Sequence, residues 1–273
     1  NTAQTLDCIG KFVDAQTPGS FYTILNEAIE TTFAKTTVSI DLLDVNKQPT
    51  ETNISISFLS TTTQTSMYEF IHYRDKAGRP DSVIIDPVLS YDIVVNTIPP
   101  VIKKEVSIRA GRHNHIPIPV PQGTLTIKQE NKGTPVNALI KDKQSQMLIH
   151  TQFTEETVRY LEGAYDVETL TLPRRTFNIH ITGNKNTLIT LPATGLVNIN
   201  TISNGYGSLF EIRTDGSEKW VHNLSTQQAQ HSLRLLPGRY RVAFRVKEAK
   251  GSKYTGVKTF EIVSGKTITV HVF

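Results

Sequence analysis

The stretch 236-LPGRYRVAFRVKEA-249 decides the fold, because it has two relatives in the same chain, 161-LEGAYDVETLTLPRR-175 and 88-VLSYDIVVNTIPP-100. Each is a turn, a tyrosine and a strand leading away. The tyrosines Tyr91, Tyr165 and Tyr240 stand 74 and 75 residues apart. A fixed period of this size is the mark of tandem modules.

The flanks repeat as well. Each tyrosine strand is followed by two more strands around a Gly-containing turn: EVSIRAGRHNHIPIPV (105–120), FNIHITGNKNTLITL (177–191) and FEIVSGKTITVHVF (260–273). Each module opens with a strand and a turn: TVSIDLLDVNKQP (37–49), GTLTIKQENKGTP (123–135) and GLVNINTISNGYG (195–207). Short alternating runs between Gly, Pro, Asn and Asp read as strands and turns.

Composition agrees. Of 273 residues, 35 Thr, 21 Val and 26 Ile make 30% of the chain against 12 Ala. Such β-branched side chains suit a pleated surface. The fold expected is mainly β: three tandem small β-sandwiches over 36–122, 123–194 and 195–273, preceded by a strand-helix remnant of an α/β domain over 1–35. The linkers are nearly absent, which predicts a semi-rigid rod.

Residues 1–35 differ from the rest. GKFVDA (10–15) predicts a short strand. Thr17 stands at an N-cap position, with Pro18 at the first helical one. Phe21, Leu25, Ala28, Ile29 and Phe33 then fall on one helical face. One strand and one helix close no core of their own. Either they dock on the first sandwich, or they end an α/β domain lying upstream; the second reading is preferred.

Several functions drop out. No apolar run reaches the length of a membrane-spanning helix. The single cysteine, Cys8, excludes an internal disulfide and a Cys-based zinc site. A net charge of +4, with scattered basic residues, argues against nucleic acid as a partner. The chain starts at Asn1 without a signal-like segment, as a processed or trimmed product would.

The turns LPGRYRV and LEGAYDV resemble the Leu-x-x-Gly-x-Tyr-x-Val signature of transthyretin-like or carboxypeptidase-regulatory-like β-sandwiches, related to the Cna-B class of surface modules. The resemblance implies that Gly163 and Gly238 supply positive-φ turns. It also implies that each tyrosine buries its ring between sheets while its hydroxyl finds a backbone partner. The first copy departs, with Leu89 at the Gly position. Residues 6–33 are similar to the last strand and helix of a von Willebrand factor A domain. That family's divalent-cation loop, Asp-x-Ser-x-Ser, is not in this chain, so its metal site is not expected here. Cna-B-like modules sometimes carry a Lys–Asn crosslink. The terminal runs TLITL and TITVHVF hold no Asn, so none is expected.

No catalytic motif stands out, neither Gly-x-Ser-x-Gly, nor a Walker loop, nor His-Glu-x-x-His. Asp92 and Asp166 follow their tyrosines in different modules, and Arg241 takes that place in the third, which speaks against a paired-carboxylate site. His113 and His115 share one face of an extended strand and are weak metal candidates lacking further ligands. The other six histidines have no role assigned. Trp220, the only tryptophan, is expected in the core; exposed, it would serve with Tyr206 as a binding surface. Tyr68, Phe70 and Tyr73 form no clear platform.

The functional expectation is a non-enzymatic, cofactor-free, extracytoplasmic scaffold or stalk that binds protein partners. The alternative is a module that binds a carbohydrate or another surface ligand.

Overall fold

The computed structural model describes residues 18–131 and 135–273. It divides into two compact units, Asn1–Pro121 and Gln122–Phe273. The predicted strand at 10–15 and the Thr17 cap lie outside the described residues. The expected helix forms as α1, Pro18–Lys35. On its predicted apolar face, Phe21, Leu25 and Ile29 are 53%, 41% and 43% exposed.

The first unit contains β1 (Thr37–Leu43), β2 (Ser55–Ser60), β3 (Ser66–Ile71), β4 (Val83–Ile84), β5 (Ser90–Val95), β6 (Val101–Ser107) and β7 (His113–Pro119). They build a three-stranded sheet in the order β4-β1-β7 and a four-stranded sheet in the order β3-β2-β5-β6.

The second unit uses the same plan twice. Strands β8 (Gln122–Gln129), β9 (Asn137–Asp142), β10 (Leu148–Phe153), β11 (Thr157–Leu161), β12 (Gly163–Thr169), β13 (Arg175–Ile181) and β14 (Asn186–Leu191) form sheets β11-β8-β14 and β10-β9-β12-β13. Strands β15 (Gly195–Thr201), β16 (Gly205–Ile212), β17 (Glu218–Asn223), β18 (Gln230–Leu235), β19 (Gly238–Val246), β20 (Gly256–Ile262) and β21 (Thr267–Val272) form β18-β15-β21 and β17-β16-β19-β20. Three sequence repeats thus fold into three copies of one seven-stranded topology.

The repeated tyrosine sits at the same place in each copy. Tyr91, Tyr165 and Tyr240 are buried on β5, β12 and β19. Their hydroxyls donate to the carbonyls of Asp86 (2.8 Å), Leu161 (2.9 Å) and Leu236 (2.7 Å). The reach is five residues in the first copy and four in the others, because 86-DPVLSY-91 has one residue more before its tyrosine than LEGAY or LPGRY. Burial pushes the pKa of all three phenols up, that of Tyr165 to about 12. They stay neutral donors.

Around each tyrosine the two sheets close a core. In the third copy Val197, Ile199, Leu235, Val270 and Val272 from one sheet meet Leu209, Val242, Phe244 and Ile262 from the other. In the second, Gln152 is fully buried and satisfied: its Nε2 donates to the carbonyls of Leu125 and Glu156, and its Oε1 accepts from Tyr160. In the first, buried His72 bonds the Ile40 carbonyl through Nε2 at 2.9 Å.

The glycine of the tyrosine turn is only partly as expected. Gly238 has a positive φ of 153°, but Gly163 is not in the left-handed region. Two other glycines are indispensable for space. A Cβ on Gly123 would stand 2.3 Å from the Thr182 carbonyl oxygen, and one on Gly195 2.6 Å from that of Val263. These residues lie at the start of β8 and β15, where the backbone of the turn before the last strand of the same sandwich presses against them.

Candidate functional site

On the third sandwich the four-stranded sheet turns one face to its core and the other to solvent. Along β16, Leu209 and Glu211 are buried, so the residues between and beside them, Tyr206, Ser208 and Phe210, lie on the outer face. Directly paired residues share a face. Trp220 on β17 pairs with Phe210, across a ladder that shifts register between Leu209 and Phe210. Trp220 is therefore outside, at 55% exposed, and the expected core placement is corrected. Alternation around Trp220 in 216-GSEKWVHNL-224 is too weak to reveal which way it points.

Tyr206, 49% exposed, is on the same face. Cross-strand arginines lie over both neighbouring rings. The Arg245 guanidinium is 5.5 Å from the Tyr206 ring centre, and that of Arg241 is 4.6 Å from the Phe210 ring centre. Arg241 is itself tied to Glu218, whose Oε1 accepts from Nε at 2.6 Å. The Trp220 Nε1–H donates to Asn223 Oδ1 at 2.9 Å, and the Ser208 hydroxyl donates to the same oxygen at 2.8 Å. A shallow cavity of about 450 Å³ opens here, lined by Tyr206, Ser208, Phe210, Asn223, Ala243 and Arg245 among others. Trp220 does not line it, but pairs with Phe210 and bonds Asn223, which do. Flat aromatic surface beside amide, hydroxyl and guanidinium groups can stack a planar or ring-shaped ligand and hydrogen-bond its rim.

No protein-family description and no curated protein matches this sequence. Solved structures similar to this chain include three bacterial proteins and the chicken CNTN1 FN1–FN3 domains. The chain aligns with the Bacillus anthracis TIE protein at 14% identity and a TM-score of 0.25, covering 87% of this chain and 50% of that one. It aligns with GBS52, the minor pilin of Streptococcus agalactiae, at 10% identity and a TM-score of 0.30, over 55% of this chain and 94% of the pilin. With the pilus adhesin SpaC from Lactobacillus rhamnosus GG, in its open conformation, identity is 9% and the TM-score 0.23, over 87% of this chain and 42% of the adhesin. The chain thus spans half the length of the TIE protein. These likenesses are too remote for function to be read from them.

The histidine pair lies elsewhere, on the first sandwich. Parallel pairing of β1 with β7 sets His113 beside Thr37 and His115 beside Ser39. The two rings meet edge to face, 4.4 Å between centres. The Ser39 hydroxyl lies 3.0 Å from both His113 Nε2 and His115 Nδ1, and Thr37 Oγ1 lies 2.8 Å from His113 Nδ1. Asp41 Oδ2 is 3.7 Å from His115 Nδ1. Burial, and then the neighbouring His115, hold the His113 imidazole below its usual range, against the pull of Asp41. Both His113 ring nitrogens and His115 Nδ1 are thus engaged by hydroxyls. Among the described residues no group of three His, Cys, Asp or Glu is arranged to hold a metal ion.

The acidic residues after the tyrosines pin hairpins. Asp92 accepts from the Glu105 amide and from Gln64 Nε2. Asp166 accepts from Gln146 Nε2, Lys143 Nζ and Asn178 Nδ2. Gln64 and Gln146 occupy corresponding turns, each with φ near 55–58°. The last strand of the second copy does contain an asparagine, since β14 starts at Asn186; its Oδ1 accepts from Thr124 and Thr126.

One feature had no sequence signal. Between the second and third copies, Arg175 and Glu211 form a two-pronged ion pair, with Arg175 Nη1 3.1 Å from Oε2 and Nη2 on Oε1. The Leu236 amide donates to the Leu172 carbonyl at 2.7 Å. Leu172 also packs against the third core. The partners are 36 and 64 residues apart in the chain.

Proposed function

We propose that this chain is a non-enzymatic extracytoplasmic scaffold or stalk, built of β-sandwiches bounded at Pro121/Gln122 and Thr194/Gly195, that spaces and presents a protein-binding region. The observation that carries this reading is the built joint between the second and third sandwiches. A swinging tether needs no directed contacts between its beads. Here a bidentate Arg175–Glu211 pair, a backbone bond from Leu236 to Leu172 and the Leu172 side chain span the joint together. Helix α1 suits the closing helix of an α/β domain of the von Willebrand factor A kind, since its exposed Phe21, Leu25 and Ile29 could pack on a sheet. The test is residual dipolar couplings on the full chain. One alignment tensor fitting both sandwiches of residues 122–273 is the expected result; two independent tensors would overturn the spacer reading. Protease shaving of intact cells of the source organism tests the location, by release of fragments of this chain.

A second reading is favoured by the exposure of Trp220: a glycan or other surface ligand bound on the outer face of β16, β17 and β19. Because the chain has one tryptophan, fluorescence excited at wavelengths that tyrosine does not absorb reports on that face alone. A saturable change on titration with a glycan, absent in Tyr206→Ala, supports this reading. A flat response across a glycan panel removes it.

A further inference from the structure

Each sandwich begins and ends on the same hydrogen-bonded strand pair, and in each the pair is parallel. Strand β1 runs beside β7 from Thr37↔His113 to Leu43↔Pro119. Strand β8 runs beside β14 from Thr124↔Asn186 to Gln129↔Leu191, and β15 beside β21 from Leu196↔Thr267 to Thr201↔Val272. Parallel strands start at one end of the pair and finish at the other. The chain therefore enters each sandwich at one end of the pair and leaves it at the opposite end.

A pull on the two ends of the chain drives these two strands past one another along their own axes. All the ladder bonds of the pair are then loaded together. If the pair were antiparallel, both ends would leave from one side and the bonds would open singly, as in a zipper. We infer that this chain carries mechanical tension, each sandwich resisting by shear of its first strand against its last; the biological meaning rests on the stalk reading above.

Details of the pairs agree. The ladders are closed near their ends by Thr37 N–H to Arg112 O (3.2 Å) and Val120 N–H to Leu43 O (2.9 Å) in the first copy. Thr124 N–H to Lys185 O and Glu130 N–H to Leu191 O, both 2.9 Å, do so in the second, and Leu196 N–H to Lys266 O, 2.9 Å, in the third. Backbone amides alternate in direction along a strand. With the Val120 amide aimed at β1, the nitrogens of Pro117 and Pro119 face away from it. The two prolines in β7 cost the loaded ladder no bond and block pairing on its free edge. One face of each ladder is sealed from water by buried side chains, such as Ile40, Leu42, Ile116 and Ile118 in the first copy.

The test pulls one sandwich in two directions. In the full chain carrying Cys8→Ser, handles are attached at Pro192→Cys and at a cysteine appended after Phe273, which shears β15 against β21. A second version carries handles at Pro192→Cys and Lys266→Cys, both at the starting end of the pair, which peels it open. Pro192 and Lys266 are exposed. Forced unfolding follows the barrier along the pulled direction rather than the equilibrium stability. The expected result is an unfolding force severalfold higher in shear than in peeling, with unchanged urea midpoints in both versions. Equal forces in the two directions would overturn the inference. Direction-dependent strength together with two independent alignment tensors would leave the inference standing and remove the rigid-spacer reading.

Discussion

The hydroxyl of Tyr240 donates to the carbonyl of Leu236 at 2.7 Å, while the amide of that same leucine reaches back to Leu172 of the preceding sandwich. One peptide segment thus ties the core of the third sandwich to the joint before it. Tyr240→Phe keeps the ring and strands a buried carbonyl, which costs about 1–2 kcal/mol. A lower urea midpoint at unchanged slope is the expected outcome. The same change at Tyr165 is expected to cost a similar amount, since its bond to Leu161 is equivalent.

At the joint, the Glu211 side chain is 10% exposed and that of Arg175 36%. Removing the arginine alone leaves a nearly buried carboxylate without its cation. Arg175→Ala is therefore expected to destabilise more than the double change Arg175→Ala with Glu211→Ala. A double-mutant cycle should return a coupling of about 1–3 kcal/mol. No coupling in urea unfolding would mean that the pair contributes nothing to the joint.

Much of the architecture was legible because it repeats. Three tyrosines at nearly equal spacing, each with two strands after it, marked the repeat, and the turn they share implied that their rings are buried between sheets. What stayed hidden depends on contacts distant in sequence. Gly123 and Gly195 read only as the opening residues of their modules, yet they are where the turns at Thr182–Lys185 and Val263–Lys266 come closest. Arg175 and Glu211 had nothing local to mark them. Trp220 was misplaced because one exposed ring across from Phe210 leaves no periodic trace in its own strand.

Gly195→Ala follows from the first of these. Its Cβ would stand 2.6 Å from the Val263 oxygen, 2.7 Å from the Ile262 side chain and 3.0 Å from the Lys266 oxygen. Two of these neighbours are backbone, which cannot turn aside. The third sandwich must shift its first strand, at a cost of about 1–3 kcal/mol. Thermal unfolding of the variant should begin at lower temperature; an unchanged profile would mean the turn can move freely.

Trp220→Ala is expected to change folding stability by no more than about 0.5 kcal/mol, because the ring is solvent-facing and its one hydrogen bond is to an exposed asparagine. A large loss of stability would return the tryptophan to the core and close the ligand reading of that face. With stability intact, ligand retention by the variant isolates the contribution of the ring.

The pH dependence of stability should carry the mark of Asp166. Gln146 Nε2 at 2.8 Å, then Lys143 Nζ at 2.9 Å and Asn178 Nδ2, favour its charged form and hold the carboxyl at about 2, against an ordinary value of 3.8. The folded state therefore binds this proton less readily than the unfolded chain does. The stabilisation is complete above about pH 4, where even the unfolded carboxyl is charged, and is lost as pH falls toward 2. Asp92 adds in the same direction through the Glu105 amide and Gln64. Asp166→Asn should thus be less stable than the parent at pH 7 and converge on it near pH 2 in urea unfolding. A difference that stays constant from pH 7 to pH 2 would show that Asp166 contributes by shape and hydrogen bonding alone, and that its charge does not hold the hairpin.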